Sequence, residues 1–170
     1  MILAIGEILY DVFPDYRRIG GAPFNVAFHL KNLGEPVGFI SRIGRDTDGD
    51  EIIKRLKQYE FSVEYIQLDE RHCTGKVMVD LDRKGIPSFN ILPDVAYDYI
   101  EFNPAIESLL DENTRLIYFG TLAQRSEYGF KTIQRILSQR DSSTKCLYDV
   151  NLRPGCFTGT VVTASLNQSD

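Results

Sequence analysis

Short runs that are apolar at nearly every position, each followed by helix-like spacing, are what most narrows the folds open to this chain. Residues 2 to 5, Ile-Leu-Ala-Ile, stop at Gly6; "VGFISRI" at 37 to 43, "RLIYFG" at 115 to 120 and "KCLYDV" at 145 to 150 have the same character. Such runs, apolar at consecutive rather than alternate positions, suit strands buried on both faces. After the first of them, Ala22, Val26, Ala27, Leu30 and Leu33 recur at helical spacing, with Pro23 in the first turn and Gly34 as the stop. "TDGDEIIKRLKQYE" reads as an amphipathic helix with acids in its first turns, and "NPAIESLLDE" and "SEYGFKTIQRILSQR" read as further helices. The order predicts an α/β fold with a mostly parallel sheet flanked by helices.

The middle breaks this rhythm. "TGKVMVDLDRKGIPSFNIL" alternates Val77, Val79 and Leu81, passes through Asp-Arg-Lys-Gly, and resumes in a β-rich run containing Pro87. A hairpin with an edge strand fits, giving a small β insertion over about residues 72 to 97. At the end, "CFTGTVVTASLNQSD" reads as a loop and a short helix, and it stops where the rhythm calls for another strand. The expectation is an unfinished sheet with an open edge.

Totals bound the function. A chain of 170 residues supports one domain with a real core. A net charge of −5 and a pI near 5.1 give no basic footprint for nucleic acid or an anionic membrane, so an anionic substrate needs a local positive site. No segment approaches the length of a membrane span. Cys73, Cys146 and Cys156, with only two histidines, lack zinc spacing and read as reduced thiols in a cytoplasmic protein. Neither G-x-G-x-x-G nor G-x-x-x-x-G-K-[ST] occurs, which leaves a dinucleotide site or a P-loop unsupported.

Candidate chemistry gathers at strand ends. Gly20-Gly21 is either a bare turn or a place where backbone approaches a ligand. Asn25 lies between Phe24 and Val26-Ala27-Phe28, where a buried asparagine needs hydrogen-bond partners that a hydroxyl-rich ligand would supply. Asp11 falls just past a strand end, where α/β sheets bind ligands, or is a solvated loop acid. Asp149, Asn151 and Arg153 alternate at another strand end; Arg153 either contacts phosphate or pairs with an Asp to close a loop. Asp46, Asp48 and Asp50 resemble a calcium loop, but Glu51 and Lys57 stand where that loop needs glycine and an acid. They read instead as acids at a helix N-terminus. His29, His72 and Cys73 lack the partners of an activated nucleophile.

"GEILYD", "GGAPFNVAFHLKNLG", "SRIGRDTDGDEI" and "DVNLRPG", in this order and spacing, resemble the N-terminal part of a ribokinase-like (PfkB) carbohydrate kinase across essentially all 170 residues. The Gly-Gly-Ala-Pro-Phe-Asn-Val-Ala block is most similar to fructokinases. The resemblance implies a Rossmann-like domain with a small β lid over the sugar, and a homodimer made by clasped lids. It implies transfer of the γ-phosphoryl group of ATP, with Mg²⁺, to a sugar hydroxyl, with a monovalent cation such as K⁺ as a further candidate. Asp11, Gly20, Gly21 and Asn25 fall on the family's sugar-binding positions, and Phe89, within the lid stretch 75 to 92, on an apolar contact. Asp149, Asn151 and Arg153 match D-x-N-x-R near the phosphates, Arg153 also serving the sugar side.

The family's D-T-x-G-A-G-D signature, with its anion hole and catalytic base, is absent from these residues, and the family's Asn-x-x-Glu motif linked to magnesium is expected, like that signature, beyond Asp170. No catalytic residue or metal ligand is therefore assigned in this chain. The C-terminal ATP-binding part is expected beyond Asp170, and residues 1 to 170 alone are expected to be inactive. Fructose is the leading substrate, with 2-keto-3-deoxygluconate kinase and ribokinase as alternatives. A truncated, non-catalytic sugar-binding or interaction protein is the alternative of another class.

Overall fold

The computed structural model describes residues 1–81, 87–111 and 113–170. The chain runs β1 (Ile2–Ile5), β2 (Leu9–Val12), β3 (Arg17–Gly20), α1 (Ala22–Asn32), β4 (Val37–Gly44), α2 (Thr47–Gln58) and β5 (Ile66–Asp69). It continues through β6 (Gly75–Leu81), β7 (Pro87–Ile91), α3 (Pro104–Glu107), β8 (Leu116–Gly120), α4 (Glu127–Ser138), β9 (Lys145–Asp149) and α5 (Gly159–Gln168).

Five strands form an all-parallel sheet in the order β5-β4-β1-β8-β9. Strand β1 is central, and Ile2, Leu3, Ala4 and Ile5 are all buried, as the unbroken apolar run requires. Alternate residues serve opposite cores. Leu3 and Ile5 join Ile133, Ile136 and Leu137 of α4, whereas Ala4 joins Phe24 and Ala27 of α1 and Ile52 and Leu56 of α2. Burial of each large aliphatic side chain contributes about 1.5–3 kcal/mol, so the two cores supply most of the driving force for the layered architecture.

A second, four-stranded sheet has the order β3-β2-β6-β7. Strands β6 and β7 pair antiparallel, as the hairpin reading expects, while residues 82–86 between them lie outside the described residues. The sheet draws on more than residues 72 to 97, because β2 and β3 supply its other half. Asp11 is accordingly within a strand rather than in a loop, in register with Arg18. "NPAIESLLDE" differs from expectation as well: among its described residues only Pro104–Glu107 is helical, capped by the Asn103 side chain accepting from the Ile106 N–H at 2.9 Å. Strand β5 gives no apolar run in sequence, since Gln67 and Asp69 interrupt it.

Asp46 and Asp48 join the two sheets. Asp46 caps α2 by accepting from the Gly49 N–H at 2.8 Å, and also accepts from the Thr74 N–H at 2.8 Å and the Thr74 hydroxyl at 2.7 Å. Asp48 pairs with Arg17 of β3 and, at 2.6 Å, with Lys76 of β6. Burial works against the charge of Asp48, but those two cations overcome it and hold its acid below the ordinary range. These acids are a strut, not a calcium loop.

Candidate functional site

The carboxyl ends of β1, β8 and β9 open on one side of the large sheet, and β1 is where the connections reverse direction. That crevice is where open α/β sheets bind ligands. The small sheet lies across it and encloses a cleft of about 310 Å³. Its floor comes from Glu7 after β1, Gly120 and Thr121 after β8, and Asp149, Asn151 and Arg153 at the end of β9. Gly21 and Asn25 form one wall; Asp11, Arg18 and Phe89 of the small sheet form the roof.

Nearly all the residues singled out from sequence meet here. Gly20 lies behind the surface, where an added Cβ would stand 2.6 Å from Asp11 Oδ2, so its hydrogen makes room for that carboxylate. Gly21 has φ +109°, and a Cβ there would stand 2.3 Å from the carbonyl oxygen of Glu7. Glycine is required at that position by both conformation and space. Asn25 corrects one premise, because its side chain is exposed on the cleft wall rather than buried in α1. Its backbone is held by the N–H donating to the Gly21 carbonyl at 2.9 Å.

Asp11 Oδ2 lies 3.5 Å from Arg18 Nε. Asp149 accepts from the Tyr118 hydroxyl at 2.6 Å and from the Asn151 N–H at 3.2 Å. Burial and the Asp149 carboxylate both push the Tyr118 phenol far up, so it stays a donor. Among the described residues Arg153 forms no ion pair with Asp149. Its guanidinium sits 5.6 Å from the Phe89 ring centroid instead, spanning the cleft between the sheets. A wider cleft of about 690 Å³ opens beside the first and shares Phe89, Ile91 and Arg153 with it. Arg153 therefore borders two adjoining spaces.

Sequence reasoning missed Glu7, Arg18 and Thr121. The signal for Glu7 was present: a lone acid between Ile5-Gly6 and Ile8. Glu7 is 4% exposed, and burial pushes its acid up to about 7. Arg18 and Thr121 carried no such mark, since their place in the cleft depends on the small sheet and on the end of β8. Among the described residues no group of three or more His, Cys, Asp or Glu side chains converges to hold a metal ion.

A parallel α/β sheet with a small second sheet over a polar cleft defines the class: a layered α/β domain with a cleft at its strand ends, the place where such sheets bind ligands. The chain belongs to the pfkB family carbohydrate kinases, whose family model it matches over residues 4–159. An uncharacterized sugar kinase from Pyrococcus horikoshii, PH1459, is 31% identical over 170 aligned residues, covering 94% of this chain and 54% of that protein. Its structure in complex with ATP superposes with a TM-score of 0.89 at 27% identity, covering 100% of this chain and 61% of the other. A fructokinase from Klebsiella pneumoniae is 36% identical over 96 residues, covering 54% of this chain and 31% of that protein. A fructokinase structure with bound ATP from Xylella fastidiosa shares the fold, with a TM-score of 0.86 at 22% identity over 99% of this chain and 56% of the other. The chain thus spans about half the length of the curated relatives that it matches most fully. No helix among the described residues is long and apolar enough to cross a membrane.

Proposed function

We propose that the protein carrying this chain is an ATP-dependent sugar kinase, with fructose as its substrate, and that the cleft beneath the small sheet receives the sugar. The observation that carries this reading is the convergence of Asp11, Gly21, Asn25, Asp149, Asn151 and Arg153, from separate parts of the sequence, on one cleft. A sugar presents several hydroxyls, each donor and acceptor. Asp11 offers acceptors, Asn25 offers both, and the Gly21 turn brings backbone close without a side chain in the way.

Phosphoryl transfer needs positioning and charge stabilisation more than covalent help. Arg153, bordering both clefts, suits the boundary between the sugar and the transferred phosphoryl group. Mg²⁺ and a monovalent cation such as K⁺ belong to the proposed activity, and among the described residues no group of three or more His, Cys, Asp or Glu side chains converges to hold a metal ion. The small sheet would act as lid and as dimer contact, since the exposed β7 forms one of its edges. Residues 1 to 170 carry neither the base nor the anion-hole signature, so this chain alone is expected to show no turnover.

The test is a coupled ADP-release assay on the intact protein with fructose, ribose, 2-keto-3-deoxygluconate and nucleosides. Highest kcat/KM for fructose supports the reading. Preference for a nucleoside, or no sugar-dependent ADP release, overturns it, the latter favouring a non-catalytic binding role.

A further inference from the structure

Glu7 is the one cleft residue whose burial the fold alone does not explain. Its Oε1 accepts the Ala22 N–H at 3.3 Å, at the start of α1, while Oε2 is buried with no hydrogen-bond partner among the described residues. A buried carboxylate oxygen left bare loses its hydration without replacement, so such a group points to a partner or a proton supplied from elsewhere. Its main chain cannot retreat, because the carbonyl oxygen abuts Gly21 where a Cβ would lie only 2.3 Å away. The space next to the carboxyl that can hold water is the cleft itself.

The charged and titratable groups facing Glu7 do not relieve it. Asp149, at the end of β9, repels its ionised form. Arg125 attracts it, but that guanidinium is committed to Asp98 through two bonds of 2.7 Å. Tyr97 and Tyr118 are the remaining neighbours, and the Tyr118 hydroxyl is already given to Asp149. Elsewhere in the cleft, Arg18 lies by Asp11 and Arg153 over Phe89.

We propose that Glu7 is a positioning residue that couples occupancy of the cleft to a proton. The ionised carboxylate needs water, which only the cleft provides; an uncharged polyol filling the cleft expels that water, so it binds the form in which Glu7 is neutral. In that form Oε1 still holds the first turn of α1, keeping Gly21 and Asn25 in place. Above neutrality, binding takes one proton from solvent onto the carboxylate, and by reciprocity rising pH weakens binding. Burial, opposed by the backbone N–H groups of Glu7 and Ala22 and reinforced by Asp149, places the acid near 7, where this exchange operates. The identity of the polyol rests on the sugar reading above; the proton on Glu7 does not.

Titration calorimetry of D-fructose into the intact protein, in two buffers of different ionisation enthalpy, reads the coupling. At pH 8 the expected result is proton uptake on binding, absent at pH 5.5, with Kd rising about tenfold per pH unit above the acid's own pKa. Glu7→Gln, which keeps the shape and the neutral charge, should match wild type at pH 5.5 and show neither uptake nor pH dependence. Glu7→Leu should bind weakly at every pH. Unchanged proton uptake in Glu7→Gln overturns the proposal. A readout free of sugar is the carbon-13 shift of the Glu7 carboxyl in the wild-type protein. A midpoint near 7 supports the buried proton even if fructose does not bind, in which case the sugar reading alone fails. A midpoint at the ordinary glutamate value overturns the proposal whatever the cleft binds.

Discussion

Gly20 and Gly21 are adjacent but respond differently to an added methyl group. At Gly21 the Cβ meets main chain, the Glu7 carbonyl, in a positive-φ conformation, and neither can yield. Gly21→Ala is expected to lower stability by about 2–4 kcal/mol, checked by denaturant unfolding. At Gly20 the Cβ meets the tip of the Asp11 side chain, which can swing away. Gly20→Ala should cost little stability yet raise the fructose KM, because the carboxylate is displaced from the cleft; an unchanged KM counts against the placement of Asp11. Glu7 makes a separate prediction about pH. Its acid rises from 4.5 to about 7 on folding, so the folded state holds a proton that the unfolded state releases in that window. Its contribution is fully present below pH 4.5 and is lost as pH rises to about 7, by about 3 kcal/mol. Glu7→Gln should lack that loss, so its stability relative to wild type should climb between pH 4.5 and 7.5. Parallel pH profiles for the two proteins would rule the assignment out.

Among the elements, the strut at the start of α2 holds the small sheet over the cleft. Asp48 is buried and grips β3 through Arg17 and β6 through Lys76. Asp48→Ala leaves both cations without their shared partner, and a loss of about 1–3 kcal/mol is expected, with faster hydrogen exchange in β3 and β6 than in β1. Uniform exchange across both sheets would show that the strut holds nothing in particular. The same elements show what was readable in sequence. β1, β4 and β8 announced themselves because strands buried on both faces must be largely apolar, and β9 showed the same run although only Cys146 and Tyr148 of it are buried. β2 and β3 did not, since each is only four residues long, Arg17 and Arg18 are exposed, and the other partner of β2 is β6, far along the chain. The span proposed for α3 failed because Leu109 and Leu110 are buried without forming a helix, so apolar content there marked packing rather than periodicity.

At the scale of the whole molecule, β9 pairs with β8 on one side alone, and Leu147, Leu152, Phe157 and Leu166 are exposed around it. An open parallel edge beside apolar side chains favours self-association. Residues 1 to 170 expressed alone should elute above monomer size in size-exclusion chromatography with light scattering; a monodisperse monomer at high concentration would contradict this. Much of the cleft was legible because its glycines and strand-end polar residues stand in compact blocks. Glu7 was not recognised because its one mark, a lone acid between Ile5-Gly6 and Ile8, does not by itself show that the side chain is buried.

Sugar binding in the cleft is proposed to depend on the Asp11 carboxylate above all. The measurement is fructose Kd for wild type and Asp11→Ala in the intact protein, at equal thermal stability. Loss of the hydroxyl-binding carboxylate should weaken binding about 10- to 100-fold. An Asp11→Ala protein that binds fructose as tightly as wild type would contradict it.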